Sequence, residues 1–333
     1  MHIGYHLTPF WSPTDRHPSA ILDEAIDVVR ATAALGFEWV SIGQHWLAHP
    51  TVWPAPIPFL ARLAPETGAM RLKTSVLLLP LLNPVEVAEN VATLDHLTHG
   101  RLTVGVSIGY RDVELQAAGL RRRDRVERLE RSLALMKRLW QGEAVHGARM
   151  GFLPFQRPHP PIEFGAQSEG ATRRAARLGD AVFFGPQVAW DDVRRLANVY
   201  RSCLREGGVV GASRCLMVGR DREDAARRAR QYLEKTFAMY AGWSMQEKSM
   251  VPLALDFSRP LEDWTVFGSA ADCVAMLLEA EERIGLDGVG FTIYSLPEGA
   301  SARIEYLQMI AEDIVAPVAR ASARKVSHDA SRV

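Results

Sequence analysis

Ser107 and His45 carry the residue types and spacings most able to do chemistry. Gly105-Val106-Ser107-Ile108-Gly109 fits G-x-S-x-G, the nucleophile elbow of a serine hydrolase, in which a serine on a tight strand-to-helix turn attacks an acyl carbon. That chemistry needs an acid and then a histidine after the serine. The histidines that follow are His146 beside Gly147, His159 inside a proline loop and His328 near the chain end. No HGGG-type oxyanion segment precedes the motif, so the hydrolase is the weaker reading. His45, in Gly43-Gln44-His45-Trp46, follows an apolar run; an imidazole titrates near working pH and suits a general base or a hydrogen-bond donor. His96 and His99 share a helix face without a third ligand, and Cys203, Cys215 and Cys273 lack C-x-x-C spacing, so no metal is expected.

A repeating strand-and-helix rhythm must position these side chains. Its plainest unit is 73–109. Ser75 to Leu82, broken by Pro80, is an apolar run expected as a strand covered on both faces. Pro84 opens a helix with Val85, Ala88, Val91, Ala92 and Leu94 on one side, and Gly100 stops it. Leu102 to Ile108 supplies the next strand of a right-handed βαβ unit. Other strands are expected at 3–7, 37–42, 162–165, 181–184, 214–218 and 288–294. One long amphipathic stretch is expected at 111–142, and helices at 19–35, 168–178, 190–205, 221–240, 270–284 and 304–315. Strict alternation predicts a (β/α)8 TIM barrel with insertion loops, one domain over 1–316 and a flexible C-terminal tail over 317–333.

In such a barrel chemistry belongs at the C-terminal strand ends. Those ends hold hydroxyl, aromatic and small residues with one imidazole, and no carboxylate pair that would suit glycoside hydrolysis. Trp11, Trp46, Asn83 and Tyr110 are expected to wall an apolar substrate pocket. The chain has 333 residues, 47% hydrophobic, enough for a large core. Lys+Arg and Asp+Glu balance at 39 each, which gives no electrostatic reason to expect nucleic acid or an anionic membrane as partner. Dinucleotide and Walker glycine motifs are absent, and neither a basic leader nor a membrane-length apolar run occurs, so a cytoplasmic enzyme is expected.

The stretch LPLLNPVEVAENVATLDHLTHGRLTVGVSIG, together with LALMKRLW, the RPHPPI loop and GFEWVSIGQHW, resembles the bacterial luciferase-like flavin monooxygenases, over Met1 to Pro297. The resemblance implies a (β/α)8 barrel that binds FMN, as reduced FMN from a separate flavin reductase, and uses O2 to oxidise a small, largely apolar substrate. A sister branch uses a deazaflavin for hydride transfer. The resemblance places His45 near the reacting flavin carbon, with Gln44 and Trp46 where the family has Glu and a second His; a non-catalytic flavin-binding protein is the reading those two changes leave open. It also implies a non-proline cis peptide at Ser75-Val76 beneath the ring, and Ser107 facing the flavin. The phosphate is expected at Gly165, Ala166, Gln167, Ser168 and Gly170, without the Arg that some relatives carry where this chain has Ile108, and with Glu169 opposing it. A homodimer is expected, packed through the Val87, Val91 and Leu94 side of its helix.

Overall fold

The computed structural model describes residues 1–7, 10–11, 16–49, 51–204, 207–246, 260–293, 295–297 and 299–330, with the backbone alone at 10–11, 235–246 and 325–330. Eight parallel strands close into a barrel in the order β1 (His2–Leu7), β3 (Trp39–Ile42), β5 (Arg71–Leu78), β6 (Leu102–Ser107), β7 (Ile162–Ala166), β8 (Ala181–Phe184), β9 (Val209–Val218) and β11 (Gly288–Thr292). A short antiparallel pair, β2 (Phe10–Trp11) and β4 (Thr51–Val52), lies outside it. Helices α1 (Pro18–Thr32), α2 (Pro56–Leu63), α3 (Pro84–Leu97), α4 (Asp112–Ala117), α5 (Arg125–Trp140), α6 (Glu169–Leu178), α7 (Trp190–Ser202), α8 (Arg222–Gln246), α9 (Ala270–Ile284) and α10 (Ala300–Ile310) connect and cover the strands.

The N-terminal half of the barrel is plugged. Lys73 Nζ lies 2.6 Å from Glu163 Oε2 and 4.7 Å from the ring centroids of both Trp39 and Phe183. A buried cation is tolerated there because it has a carboxylate and two aromatic faces. The Trp39 indole fits because Gly4 has no side chain: a Cβ there would stand 2.0 Å from the ring. With this end filled, space for a ligand remains at the C-terminal strand ends.

Four expectations change. The strand expected at 75–82 is β5, 71–78, followed by a short 3-10 turn at Leu79–Leu81; its polar start was disguised because Lys73 points into the barrel toward Glu163. The long stretch 111–142 is broken: α4 ends at Ala117, Gly119 takes φ +67°, and α5 starts at Arg125. The seventh barrel strand begins at Val209, and its far half, Cys215–Val218, pairs with an additional strand, β10 (Thr265–Gly268). The segment expected as a flexible tail carries helix α11 (Ala316–Ala330), with Val318 fully buried, after a π-helical turn at Ala311–Val315. Helix α8 runs on to Gln246, and 247–259 lie outside the described residues.

Val87, Val91 and Leu94, expected to support a dimer, are buried in this chain's own core. Among the described residues no helix is long and apolar enough to cross a membrane.

Candidate active site

A cavity of about 420 Å³ opens at the C-terminal strand ends and is lined by His45, Ser75, Val76, Ser107, Tyr110, Gly165, Ala166, Gln167 and Ser168 among others. Its platform is a break in the β5–β6 ladder. The Ser75–Val76 peptide is cis, and the register between the two strands shifts between Thr74 and Leu77. Thr74 repairs the gap, its Oγ1 donating to Gly105 O at 2.9 Å and accepting from Gly105 N at 2.8 Å. On the far side Gln44 Oε1 accepts from Leu78 N at 2.8 Å. Glycines make the room: a Cβ on Gly105 would meet Thr74 O at 2.0 Å, one on Gly43 would meet Ser75 O at 3.1 Å, and one on Gly165 would meet the Val76 side chain at 3.2 Å. The Ser75–Val76 peptide therefore stands in a shallow apolar bed suited to a flat ring.

His45 is fixed beside it. Its Nδ1 lies 2.8 Å from Glu114 Oε1, which also accepts from Trp46 N at 3.0 Å. Glu114 is 1% exposed and pairs with buried Arg111, whose Nη1 is 3.3 Å away. Arg111 also donates to Trp46 O and Leu47 O, so α4 is tied to the loop that carries His45. The Trp53 and Tyr110 rings pack edge-on against the imidazole at 4.7 and 5.7 Å. With Nδ1–H donated to a carboxylate, Nε2 is the nitrogen able to accept or pass a proton. The family's Glu precedes its His in sequence; here Gln44 supports the strand, and a carboxylate far along the chain holds the imidazole.

A third corner carries a cation beside a helix N-terminus. Arg125, the first residue of α5, lines the cavity with Gln167, Ser168 and Ala171 and donates to Gly109 O at 3.0 Å. Among the described residues no carboxylate is bonded to it. Burial first, and then the neighbouring Arg122, push its guanidinium below the ordinary value; Asp112 opposes this and Arg174 adds the least. Such a cation gains from a bound anion. The α6 N-terminus adjoins it, where Ser168 Oγ accepts from Ala171 N and the first backbone N–H groups lie free of intrahelical partners. Glu169, expected to oppose an anion, is exposed and turned to Arg173 at 2.7 Å. Ile108 carries no charge, and the cation that lines this corner is Arg125.

Other expected residues fall elsewhere. Asn83 is exposed and does not wall the cavity; its Oδ1 caps α3 by accepting from Val85 N at 2.9 Å and Glu86 N at 3.4 Å. Asn83→Ala should cost about 1 kcal/mol of stability, read as a lowered denaturant midpoint at unchanged m-value, and leave ligand binding intact. Trp46 packs toward Leu78, Leu81 and Leu115 rather than into the cavity. Gly170 is exposed beyond the cavity lining, and the Trp11 side chain lies outside the described residues. Ser107 lines the cavity, yet the hydrolase elbow is overturned: the fold is a closed barrel, and Gly105 is required by the close approach of Thr74 rather than by a nucleophile turn.

Glu114, Arg111 and Arg125 were missed. Their signal lay in Arg111-x-x-Glu114 at i,i+3 spacing and in Gly119, a break inside an otherwise helical pattern.

Known proteins share this arrangement of elements. A flavin-dependent trigonelline monooxygenase, oxygenase component, of Acinetobacter baylyi is 23% identical over 301 residues, covering 82% of this chain and 83% of that protein. The oxygenating constituent of 3,6-diketocamphane monooxygenase of Pseudomonas putida, solved in complex with FMN, superposes with a TM-score of 0.75 at 18% identity, over 94% of this chain and 98% of that one. An F420-dependent secondary alcohol dehydrogenase superposes with a TM-score of 0.71 at 17% identity, over 95% and 98%. The sequence profile of the luciferase-like monooxygenases matches residues 1–287, and the chain belongs to that family.

Proposed function

We propose that the protein is the oxygenase component of a two-component flavin monooxygenase, taking reduced FMN from a separate reductase and using O2 to oxidise a small neutral substrate. The observation that carries this reading is one cavity holding both a glycine-cradled platform at Ser75–Val76 and, at a helix N-terminus, an arginine that no carboxylate among the described residues bonds. A flat ring bearing a phosphate tail matches the two features together. Gly43, Gly105 and Gly165 leave the bed open to the ring, and Arg125 with the α6 N–H groups would hold the phosphate.

Bound reduced flavin supplies the electrons that activate O2. The chain's own residues do the rest. His45 Nε2 accepts or returns a proton at the platform's edge, because Glu114 holds the other nitrogen. Trp53 and Tyr110 wall the imidazole and restrict water. Ser107 offers a hydroxyl at the ring's edge. The F420 enzyme has the same fold, so deazaflavin-dependent hydride transfer is the second reading, and the His45–Glu114 pair suits proton delivery in either.

Titration of the purified protein with FMN, reduced FMN and F420, followed by calorimetry, separates the two. Saturable binding of the FMN forms in preference to F420, with O2 uptake once a reductase and substrate are added, is the expected result. Preference for F420 without O2 uptake moves the protein to hydride transfer, and binding of none of them removes the cofactor.

A further inference from the structure

The deep end of the cavity carries polar groups for which the flavin reading gives no use. His6, Ser213 and Thr292 all line it, on β1, β9 and β11, away from the strands β5, β6 and β7 that carry the platform. Register brings them together: His6 pairs with Thr292 on one side and with Ser41 on the other, and Thr292 pairs with Cys215, two residues beyond Ser213. Side chains of registered neighbours in parallel strands share a face, so the three form one polar wall above the Phe183 ring that lines the same cavity. His45 stands four residues beyond Ser41 on the β3 side, past the end of its strand and nearer the mouth.

These groups are incompletely used by the protein. His6 Nδ1 lies 2.9 Å from Ser41 Oγ, while no protein hydrogen bond to His6 Nε2 or Thr292 Oγ1 occurs among the described residues. Ser213 Oγ reaches only Gly290 O, at 3.4 Å. We propose that His6, Ser213 and Thr292 form a recognition subsite for a neutral oxygen-bearing group of the substrate, such as a ketone, amide or alcohol, held deep while another part of the molecule reacts near His45. The proposal rests on the flavin occupying the platform.

Charge and desolvation select this chemistry over its rivals. Among the described residues a carboxylate would find no unpaired cation beside His6, Ser213 and Thr292, since Lys73, the nearby ammonium, is paired with Glu163 and Arg125 lines the opposite, α6 side of the cavity. Burial first, and then Lys73, lower the His6 imidazole to about 4, so it is neutral at physiological pH. A hydrocarbon would cover hydrogen-bonding groups without replacing their water, which is penalised. A neutral oxygen satisfies the wall as acceptor or donor, because a neutral imidazole and two hydroxyls can play either part.

The test uses FMN-loaded protein and three probes of similar shape: cyclohexanone, methylenecyclohexane and cyclohexanecarboxylate, with binding read from the flavin absorbance. Cyclohexanone should bind at least about tenfold more tightly than the hydrocarbon and more tightly than the carboxylate. Thr292→Val, which keeps shape, and His6→Leu should each shrink that preference while the FMN Kd stays within about twofold of wild type. Persistence of the preference in a correctly folded Thr292→Val protein overturns the proposal. So does failure of the ketone to outbind its isostere, including failure of both to bind, or tightest binding by the carboxylate. Loss of FMN affinity in either variant also overturns it, because the wall would then serve the cofactor. Wild-type protein that takes no FMN refutes the flavin reading, and this proposal with it, before any probe is added.

Discussion

His45→Ala should lower turnover roughly 10²- to 10⁴-fold, the range expected when a positioned proton-transfer group is deleted, with FMN affinity close to wild type. The separation follows from geometry. His45 lines the cavity but is held by Glu114, Trp53 and Tyr110, whereas Arg125 donates to Gly109 O and Ser168 caps α6. Glu114→Gln tests the supporting role. A carboxylate can only accept from Nδ1–H, whereas a carboxamide can also donate, so the amide permits the tautomer with its proton on Nε2. The loss should be smaller than for His45→Ala but still about tenfold or more, in kcat rather than KM, with Glu114→Asp recovering part of it. Added imidazole should restore some turnover to His45→Ala and none to Glu114→Gln. Wild-type turnover in His45→Ala with flavin bound would remove the imidazole from the chemistry.

The barrel was legible because its signals are local. A parallel strand buried on both faces reads as an apolar run, and the Asn83-Pro84 start and Gly100 stop bracket α3 within one βαβ unit. His45, Ser107 and Gly165 to Ser168 could be placed at the mouth for the same reason, since strand ends follow from strands. The Ser75–Val76 cis peptide was reachable only through the family resemblance, as nothing in those two side chains departs from an ordinary strand.

What stayed hidden depends on distance in the fold. Glu114 meets His45 across 69 positions of sequence, and no periodicity reports such a contact. The helical pattern over 111–142 continues through Gly119, so Glu114 and Arg125 fall within one expected amphipathic stretch, while the structure puts them on separate helices. The break at Gly119 lets Glu114 reach His45 and Arg125 line the cavity. Asn83 misled in the opposite sense: a polar residue after a strand looks like a pocket residue, while Asn before Pro at a helix start is equally the signature of a cap. Lys73 and Glu163 broke the apolar pattern of their strands because the barrel interior can hold a charge pair, provided each partner is present.

Arg125→Met should weaken FMN binding by about 2–4 kcal/mol, roughly 30- to 1000-fold in Kd, the scale of losing a charge-assisted contact to a partly desolvated phosphate. The substitution preserves the length and apolar stem of the side chain, so α5 keeps its packing. Its only bonded partner among the described residues, Gly109 O, is a backbone carbonyl beside the cavity, which limits the structural cost. Riboflavin, which has the ring and no phosphate, discriminates between the corner and the platform. Wild type should prefer FMN to riboflavin by a similar factor, and Arg125→Met should lose most of that preference while binding riboflavin as before. Raising salt should weaken FMN binding to wild type more than to the variant, because the screened charge is gone. Equal weakening of FMN and riboflavin would mean that Arg125 supports the cavity's shape instead. An unchanged FMN Kd would place the phosphate elsewhere and leave the α6 N-terminus with Ser168 as a cap alone.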